Sequence, residues 1–496
     1  MARTHGLGEV FRNAEFRALW AAELCSILGD QLARVGLAVL VYGRTGSAAW
    51  TAATYALTFL PALVGGVLLG HLADRYRRRE LMMVADLARA GLLGVMALPW
   101  VPLWLLCVLL VVVVTLGAPH SAAQGALLPD VLGGRFEAGL AVRQITSQTA
   151  QLAGFGLGGA ALTVVSPSVA LAADALTFAA SAALVRFGLR DRPVAAGPAA
   201  TPPAAEEDSA GPDDPVTGLD AVTGSDAATG LAAITESDAG PGLDAGAGLD
   251  AGAGLDAGGP PGAVAGEAGA TPERSDPARP GVMSEWLADT KAGVRAVVGN
   301  RTRRVLAGLV WLVGCYVVPE GLAAPYAAAL NADPFVVGLL MAADPAGSVL
   351  GAWLITRLVP AHVRPRLIGV CAVAGGLSLT GCFAGPGVVG SVLLWGLSGL
   401  FSSACLVQAQ ASFVRATPDE LRGRAIGVAA SGLIAAQGIA ILLAGVLAER
   451  IGAVPTVGLT GLVGALVAGV LALRWRRAAV GSRGFGTDGV PMTSES

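Results

Sequence analysis

Three charged residues share one face of an otherwise apolar segment near the start of the chain: Glu23, Asp30 and Arg34. At 100° per residue in an α-helix they fall within about 40° of one another, and Asp30 and Arg34 are spaced to pair one turn apart. A charge inside a membrane helix is costly, so it marks a transport pathway or an ion pair. The pattern predicts that Asp30 faces a cavity and binds a proton or a cation, with a structural ion pair as the alternative. For Glu23, the structural ion pair is the favoured interpretation.

Two more titratable residues, His120 and Glu320, lie inside apolar segments. Histidine changes its charge near neutral pH, so His120 is a candidate for proton transfer, or else a hydrogen-bonded packing residue. Glu320 follows Pro319, and an acid beside a helix break inside a membrane is a plausible element of a pathway. Asp174 and Asp344 are interpreted as local helix caps or as members of local ion pairs.

The segments that must position these residues are membrane helices. Of the 496 residues, 54% are hydrophobic and only 14% are charged, whereas a soluble domain carries about 25% charged residues. Twelve apolar segments are each about 20 residues long, which is enough to cross a bilayer as a helix. Six lie before residue 190 and six after residue 300. The sequence predicts an all-α integral membrane protein with twelve transmembrane helices in two six-helix bundles.

The arginines indicate the orientation of these helices. They are concentrated at the N-terminus, in the tail and in the connections after segments two, four, eight and ten. Basic residues collect on the cytoplasmic side, so both termini are predicted to be cytoplasmic. Lys291 is the only lysine among 33 basic residues, a bias that favours a GC-rich bacterial genome. The expected location is the plasma membrane of a bacterium, and the N-terminus shows no cleavable signal peptide.

A change in composition divides the chain further. Residues 193–273 contain 14 acidic residues and no lysine or arginine, in a background of Gly, Ala and Pro. Such a composition predicts disorder, and its GLDAGA repeats lack the nine-residue spacing of a calcium-binding roll. The predicted organisation begins with an N-terminal bundle (1–190) and a disordered acidic linker (191–282). A cytoplasmic surface helix (283–302), a C-terminal bundle (303–477) and a disordered tail (478–496) follow.

Several functional classes are excluded by motif. A Walker A loop requires Gly-Lys-Ser/Thr, but Lys291 lies between Thr290 and Ala292. The six cysteines form no Cys-x-x-Cys pair, and no cofactor, metal or nucleic-acid partner is predicted. The sequence therefore does not indicate an enzyme. If the protein moves a solute, the energy must come from an ion gradient or from another chain.

The stretch GFGLGG at 154–159 matches a dinucleotide fingerprint only in its letters, because it lies within an apolar helix with no strand before it. A face of small residues allows close approach of a neighbouring helix. We therefore interpret the following as helix-packing glycines: Gly154, Gly156, Gly158 and Gly159.

The connection between segments two and three, GHLADRYRRRE at 70–80, is highly charged, whereas the segments on both sides of it are apolar. Arginines alone would satisfy the positive-inside rule, but Gly70 and Asp74 at fixed offsets indicate a gate. The stretch resembles the G-x-x-x-D-R-x-G-R-R motif of the major facilitator superfamily. The residues that match are Gly70, Asp74, Arg75, Arg78 and Arg79.

Arg77 stands where glycine is usual, and this departure resembles the enterobactin-exporter-like and macrolide-efflux-like branch of the superfamily. Other stretches resemble the same branch: Gly29-Asp30, Leu128-Pro129-Asp130, Asp174-Ala-Leu-Thr-Phe and Glu420-Leu-Arg-Gly-Arg424. The proline of the antiporters' span-five motif and the arginine of their span-four motif are missing. His120 or Arg34 would have to substitute for that arginine.

The resemblance implies two bundles that rock about a central site, with Asp74 meeting a helix end of the other half in one state. It implies a proton-coupled exporter of a small organic compound, such as a drug, a secondary metabolite or a siderophore. The expected partners are this substrate, protons and the lipid bilayer, and the expected state is a monomer. Alternatives are uptake by symport, or a transport-incompetent membrane sensor or assembly partner.

Overall fold

The computed structural model describes residues 7–192, 282–360 and 362–481. This part of the chain is helical and contains no β-strand, which confirms the predicted all-α class. Most of the predicted linker, 191–282, and of the tail, 478–496, lies outside the described residues, so the prediction of disorder there stays a prediction.

The N-terminal half begins with a 3₁₀ turn, Leu7–Arg12, and continues with eight α-helices. These are α1 (Ala14–Thr45), α2 (Ala48–Ala56), α3 (Leu60–Leu69), α4 (Leu72–Arg75), α5 (Arg78–Met96), α6 (Leu103–Leu132), α7 (Phe136–Ala161) and α8 (Pro167–Gly188).

The C-terminal half begins with α9, in the region of the predicted surface helix, and continues to the end of the described chain. Its helices are α9 (Val282–Val298), α10 (Arg301–Gly314), α11 (Val318–Gly321), α12 (Ala323–Ala329), α13 (Pro334–Leu358), α14 (Arg364–Thr380), α15 (Gly387–Arg415), α16 (Asp419–Ile451) and α17 (Ala453–Gly481).

Local sequence sets where the first helix begins and ends. The side chain of Asn13 accepts a hydrogen bond from the backbone N–H of Glu15 at 2.9 Å, which caps α1. The helix ends at Gly46, whose φ of 62° is left-handed and suits glycine. A chain of 32 residues between these two signals is long enough to cross a membrane.

Ten helical stretches of the described chain are long and apolar enough to span a membrane. The helices α5 and α7 are not among them: α5 carries the charges of Asp86 and Arg89, and α7 is rich in glutamine, threonine and glycine. The twelve-span count and the cytoplasmic termini therefore stay predictions. The charged residues in α5 and α7 are also the ones that build the site.

The two halves pack together through α2 against α16 and α7 against α13. Val35, Ala52 and Tyr55 of the N-terminal half are buried in one hydrophobic cluster with the core of the C-terminal half. These contacts lie where α1 ends and α2 begins, which is the end of the molecule farthest from α4 and from the start of α9.

Candidate functional site

The carboxylate of Asp30 pairs with Arg89 of α5. Its Oδ1 lies 3.4 Å from Nη2 of Arg89. The side chain of Asp30 is 34% exposed, whereas that of Arg89 is 10% exposed. Arg34, expected from its spacing to pair with Asp30, instead places its guanidinium 5.6 Å from the ring centre of Phe59. The pair therefore joins two helices rather than two turns of one helix.

Arg89 is held on its other side by an aromatic ring. Its guanidinium carbon lies 3.8 Å from the centre of the Phe178 ring of α8, a cation–π contact. Its Nε atom is buried and makes no hydrogen bond among the described residues. A buried guanidinium needs a counter-charge, so Arg89 depends on the charge of Asp30.

One turn earlier on α5, Asp86 is completely buried. Its Oδ1 lies 2.9 Å from Nδ1 of His120 in α6, and its Oδ2 accepts a hydrogen bond from the hydroxyl of Ser181 in α8 at 2.7 Å. His120 therefore contacts a carboxylate, and a purely packing role would not require this contact.

Asp174 of α8 lies close enough to Asp30, Arg34 and Arg89 for their charges to interact. The hydroxyl of Thr177, one turn away, lies 3.1 Å from its Oδ1. Position 29 is glycine for a steric reason, since a Cβ there would lie 2.3 Å from Oδ1 of Asp174. Asp174, predicted to be a local cap or pair, belongs to the same polar group as Asp30.

Glu23 forms an ion pair with Arg143 of α7. Nε and Nη2 of Arg143 donate to the two carboxylate oxygens, each at 2.8 Å, and Nη2 also donates to Gln124 of α6 at 3.2 Å. Such a two-bond pair fixes both side chains. The geometry favours the structural role for Glu23 over proton or substrate binding.

Replacing Arg143 with methionine should therefore destabilise the protein. Glu23, whose side chain is only 13% exposed, would lose its counter-charge, and breaking a largely buried pair costs about 3 kcal/mol. The measurement is the midpoint of unfolding of the purified protein in detergent. Removing both charges, with Glu23→Met and Arg143→Met together, should recover most of the loss. A double variant as unstable as the single one would contradict the assignment.

Glu320 contacts the other half of the molecule. It is buried in α11, directly after the break that separates α10 from α11, and it accepts a hydrogen bond from the hydroxyl of Tyr55 in α2. Arg34 and Asp344 lie near enough for their charges to act on Glu320. In this arrangement Glu320 joins the two halves.

A second polar contact joins the halves closer to the helix ends. Glu449 of α16 accepts hydrogen bonds from the hydroxyl of Ser47 and from the backbone N–H of Ala49, the latter at 2.8 Å. The carboxylate thereby satisfies an otherwise free N–H at the start of α2. Glu320 and Glu449 both stabilise the closed arrangement at this end.

The glycines of GFGLGG do not all have the same neighbours. A Cβ at Gly154 would meet Gln31 of α1 at 2.7 Å, and one at Gly158 would lie 3.3 Å from Cα of Leu32. Gly159 faces the other half, where a Cβ would lie 2.7 Å from the carbonyl oxygen of Phe335. Gly156 differs from the prediction, because a Cβ there would meet nothing within 4 Å.

Two arginines of the charged connection 70–80 form hydrogen bonds within their own half of the molecule. Arg78 donates to Asp130 and to the carbonyl of Ala126, both at 2.8 Å, while Arg79 donates to the carbonyl of Leu189 at 3.0 Å. Arg75 is exposed. A Cβ at Gly70 would lie 2.5 Å from the carbonyl oxygen of Gly66, so glycine permits the tight join between α3 and α4. The side chain of Asp74 lies outside the described residues.

Sequence reasoning missed the partners rather than the helices. It did not single out Asp86, Arg89 or Arg143 inside the spans, nor Tyr55 and Glu449 at the contact between the halves. A signal for the first two was present, because two opposite charges three residues apart interrupt the apolar segment 81–99. No sequence signal distinguishes Tyr55 from an ordinary packing residue.

Two helical halves that meet around buried charges inside membrane-length helices define a polytopic membrane protein of the transporter type. The family model of the Major Facilitator Superfamily matches residues 19–288 and 303–489. The chain belongs to the Major Facilitator Superfamily, which confirms the resemblance carried by the charged connection.

Relatives of known sequence match shorter stretches. An uncharacterized transporter of this superfamily from Bacillus subtilis is 30% identical over 178 residues, which is 35% of this chain and 42% of the relative. Macrolide efflux protein A of Streptococcus pyogenes is 29% identical over 119 residues, 23% of this chain and 29% of that protein. The matches thus span less than half the length of these relatives, and they agree with the macrolide-efflux-like branch.

Solved structures show the same fold over nearly the whole chain. The nucleoside transporter NupG has a TM-score of 0.58 at 12% identity, covering 93% of this chain and 98% of that one. A bacterial homolog of the human lysosomal transporter Spinster, in an inward-facing and occupied conformation, has a TM-score of 0.60 at 10% identity, covering 94% and 96%. At these identities the likeness concerns the fold alone.

Proposed function

We propose that this chain is a proton-coupled exporter of a small organic compound that works by alternating access in the plasma membrane of a bacterium. The observation that carries the proposal is the pair of Asp30 and Arg89: a carboxylate that is one-third exposed within a membrane-length helix and bound to a buried arginine. A titratable group with one side open to water and one side on a buried charge can link proton binding to helix movement.

The coupling follows from the charge of Asp30. When its carboxylate takes up a proton, Arg89 loses its counter-charge and keeps only the Phe178 ring and its more distant neighbours. An unpaired buried guanidinium is unfavourable, so α1 and α5 must rearrange or the cavity must supply another anion. Proton binding thereby changes which arrangement of the helices is most stable.

The direction of transport and the class of substrate are supported by one relative. The similarity to macrolide efflux protein A favours export over uptake and favours drug-like compounds among the expected substrates, which also include secondary metabolites and siderophores. The Glu320 and Glu449 contacts close one end of the molecule. With the predicted cytoplasmic termini, this arrangement is the state open to the cytoplasm.

Two measurements test the function. Cells that produce the protein should accumulate less of its substrate than cells without it, in a panel of compounds that begins with macrolide antibiotics. In inverted membrane vesicles, acidifying the interior should drive the same compound inward. Greater accumulation in cells would instead indicate uptake by symport, and a panel with no change would favour a sensor or assembly partner.

The contact between Tyr55 and Glu320 predicts a shift between states. Tyr55→Phe removes a hydrogen bond to a buried carboxylate, worth about 1.5–3 kcal/mol, and should shift the population at least tenfold toward the state open at that end. Spectroscopic distances between labels on α2 and α16 would measure the shift. Ser47→Ala, at the exposed Glu449 contact, should act more weakly. Equal effects of the two variants would contradict the importance of Glu320.

The gating motif makes a separate prediction about speed. Asp74→Asn should slow substrate export several-fold while the protein still folds, because the charge that meets a helix end of the other half in the outward-facing state is lost. Initial rates in vesicles, normalised to the amount of protein in the membrane, measure this effect. Unchanged rates would reduce the connection 70–80 to a signal for membrane orientation.

A further inference from the structure

The charges around Asp30 do not balance. The polar group formed by α1, α5, α6 and α8 contains the carboxyl groups of Asp30, Asp86 and Asp174, against the guanidinium groups of Arg34 and Arg89. Three acids and two arginines leave at least one negative charge among the described residues of this group, since Arg34 also lies near the carboxylate of Glu320. Because an unbalanced charge in a membrane interior is unfavourable, the group is most stable when it holds at least one proton.

The place for that proton is indicated by contacts. His120 faces Asp86 with 2.9 Å between Nδ1 and Oδ1, and neither atom makes a hydrogen bond of regular geometry to any described residue. Asp86 is fully buried, and its other oxygen is already occupied by Ser181. A proton on this pair converts a buried carboxylate and imidazole into a neutral ion pair, or into a neutral acid beside a neutral base. Among the described residues, the carboxylate of Asp174 has the local hydroxyl of Thr177 as its hydrogen-bond partner.

We propose that Asp86 and His120 form a second proton-binding site, closed to water in this state and linked to Asp30 through Arg89. The site rests on the proposed function only for its role in transport, since proton binding itself does not require a substrate. Arg89 follows Asp86 by three residues and so lies on the same face of α5, where it bonds to Asp30. A change of charge at either acid therefore acts on the same guanidinium.

The two sites differ in their access to water. The side chain of Asp30 is 34% exposed, whereas those of His120 and Asp86 are 10% and 0% exposed. Asp30, the more exposed of the two sites, can therefore exchange a proton in this state while the proton on Asp86 and His120 is retained. Movement of α5 against α6 and α8 would be needed to release the retained proton, so its release is tied to the change of state.

The first test requires no substrate and uses the proton itself as the probe. The chain contains four histidines, His5, His71, His120 and His362, so nitrogen NMR of histidine-labelled protein in lipid gives a small set of signals. The signal lost in His120→Gln identifies His120. We expect this signal to report protonation of the pair and to change in Asp86→Asn. A His120 signal that does not titrate, or that titrates identically without Asp86, would overturn the site.

The second test addresses coupling, with the compound that the accumulation panel identifies. Asp86→Asn and His120→Gln should lose at least tenfold in transport driven by a pH gradient, while exchange of labelled for unlabelled compound without a gradient persists. Asp86→Glu, which keeps a titratable carboxyl group at this position, should retain part of the coupling that Asp86→Asn loses. Retained exchange shows that a variant is folded.

The outcomes separate the two proposals. If the wild-type protein shows no transport driven by a pH gradient but His120 titrates in dependence on Asp86, then the proposed function fails and the proton site stands. If the wild-type protein is coupled and the Asp86 and His120 variants remain fully coupled, the role of the site in transport is wrong. Loss of coupling in Asp174→Asn alone would assign the proton to Asp174 instead.

Discussion

Replacing Asp30 with asparagine is expected to abolish export driven by a pH gradient. The amide keeps the size of the side chain but can neither bind nor release a proton, and it leaves Arg89 without its counter-charge at 3.4 Å. We expect accumulation in acid-loaded inverted vesicles to fall at least tenfold, to the level of vesicles without the protein. Exchange of labelled for unlabelled compound in the absence of a gradient should persist, because exchange requires the two states but no proton movement.

The matched control for this variant lies on the same face of α1. Glu23→Gln is also a change from carboxylate to amide, but Glu23 is bound by two bonds to Arg143, a geometry that favours a structural role. This variant should lower stability and keep the coupling. Loss of coupling in Glu23→Gln with full coupling in Asp30→Asn would reverse the assignment of the two acids.

Replacing Gly159 with valine is expected to prevent the halves from closing at the end where α7 meets α13. A Cβ at this position would lie 2.7 Å from the carbonyl oxygen of Phe335 and 2.8 Å from Cα of Gly338. Both are backbone atoms that cannot rotate away, and forcing extra volume into such a contact costs about 1–3 kcal/mol. The population of the state described here should fall about tenfold or more, and export should fall with it.

The same substitution three residues earlier provides the control. Gly156→Val adds an equally bulky, β-branched residue to the same helix, so the cost in helix propensity is similar. A Cβ at Gly156 would meet nothing within 4 Å, and export should remain near that of the wild type. Spectroscopic distances between labels on α7 and α13 would separate a change of state from a loss of fold. Equal loss of export in both variants would attribute the effect to the helix and not to the contact.

The two substitutions affect the same equilibrium between the two transport states in different ways. Asp30→Asn removes the means by which protons shift the equilibrium between states, whereas Gly159→Val removes the packing that makes one of those states stable. A double variant should be as inactive in export driven by a pH gradient as Asp30→Asn alone, since that variant already lacks coupling, while exchange without a gradient should fall to the level of Gly159→Val.

The sequence by itself determined the class of this protein. Apolar segments of membrane length require helices, because a bilayer leaves no other partner for the backbone groups, and this property is local to each segment. The motif around Gly70 and Arg78 was sufficient to predict the superfamily. Asp30 and Glu320 were also identifiable, since a charge within an apolar segment needs a special environment wherever it lies in the fold.

The tertiary structure alone decided which charges are partners. Spacing along α1 suggested Arg34 as the ion-pair partner of Asp30. In the fold, Arg89 of α5 is that partner, and the guanidinium of Arg34 lies against the ring of Phe59. The same holds for His120, whose carboxylate partner Asp86 is 34 positions away in sequence and 2.9 Å away in space. The sequence of a helix shows which of its residues share a face. Which neighbouring helix that face contacts depends on how all the helices pack. For that reason the sequence identified the charged residues, and only the packed helices showed that they form one network.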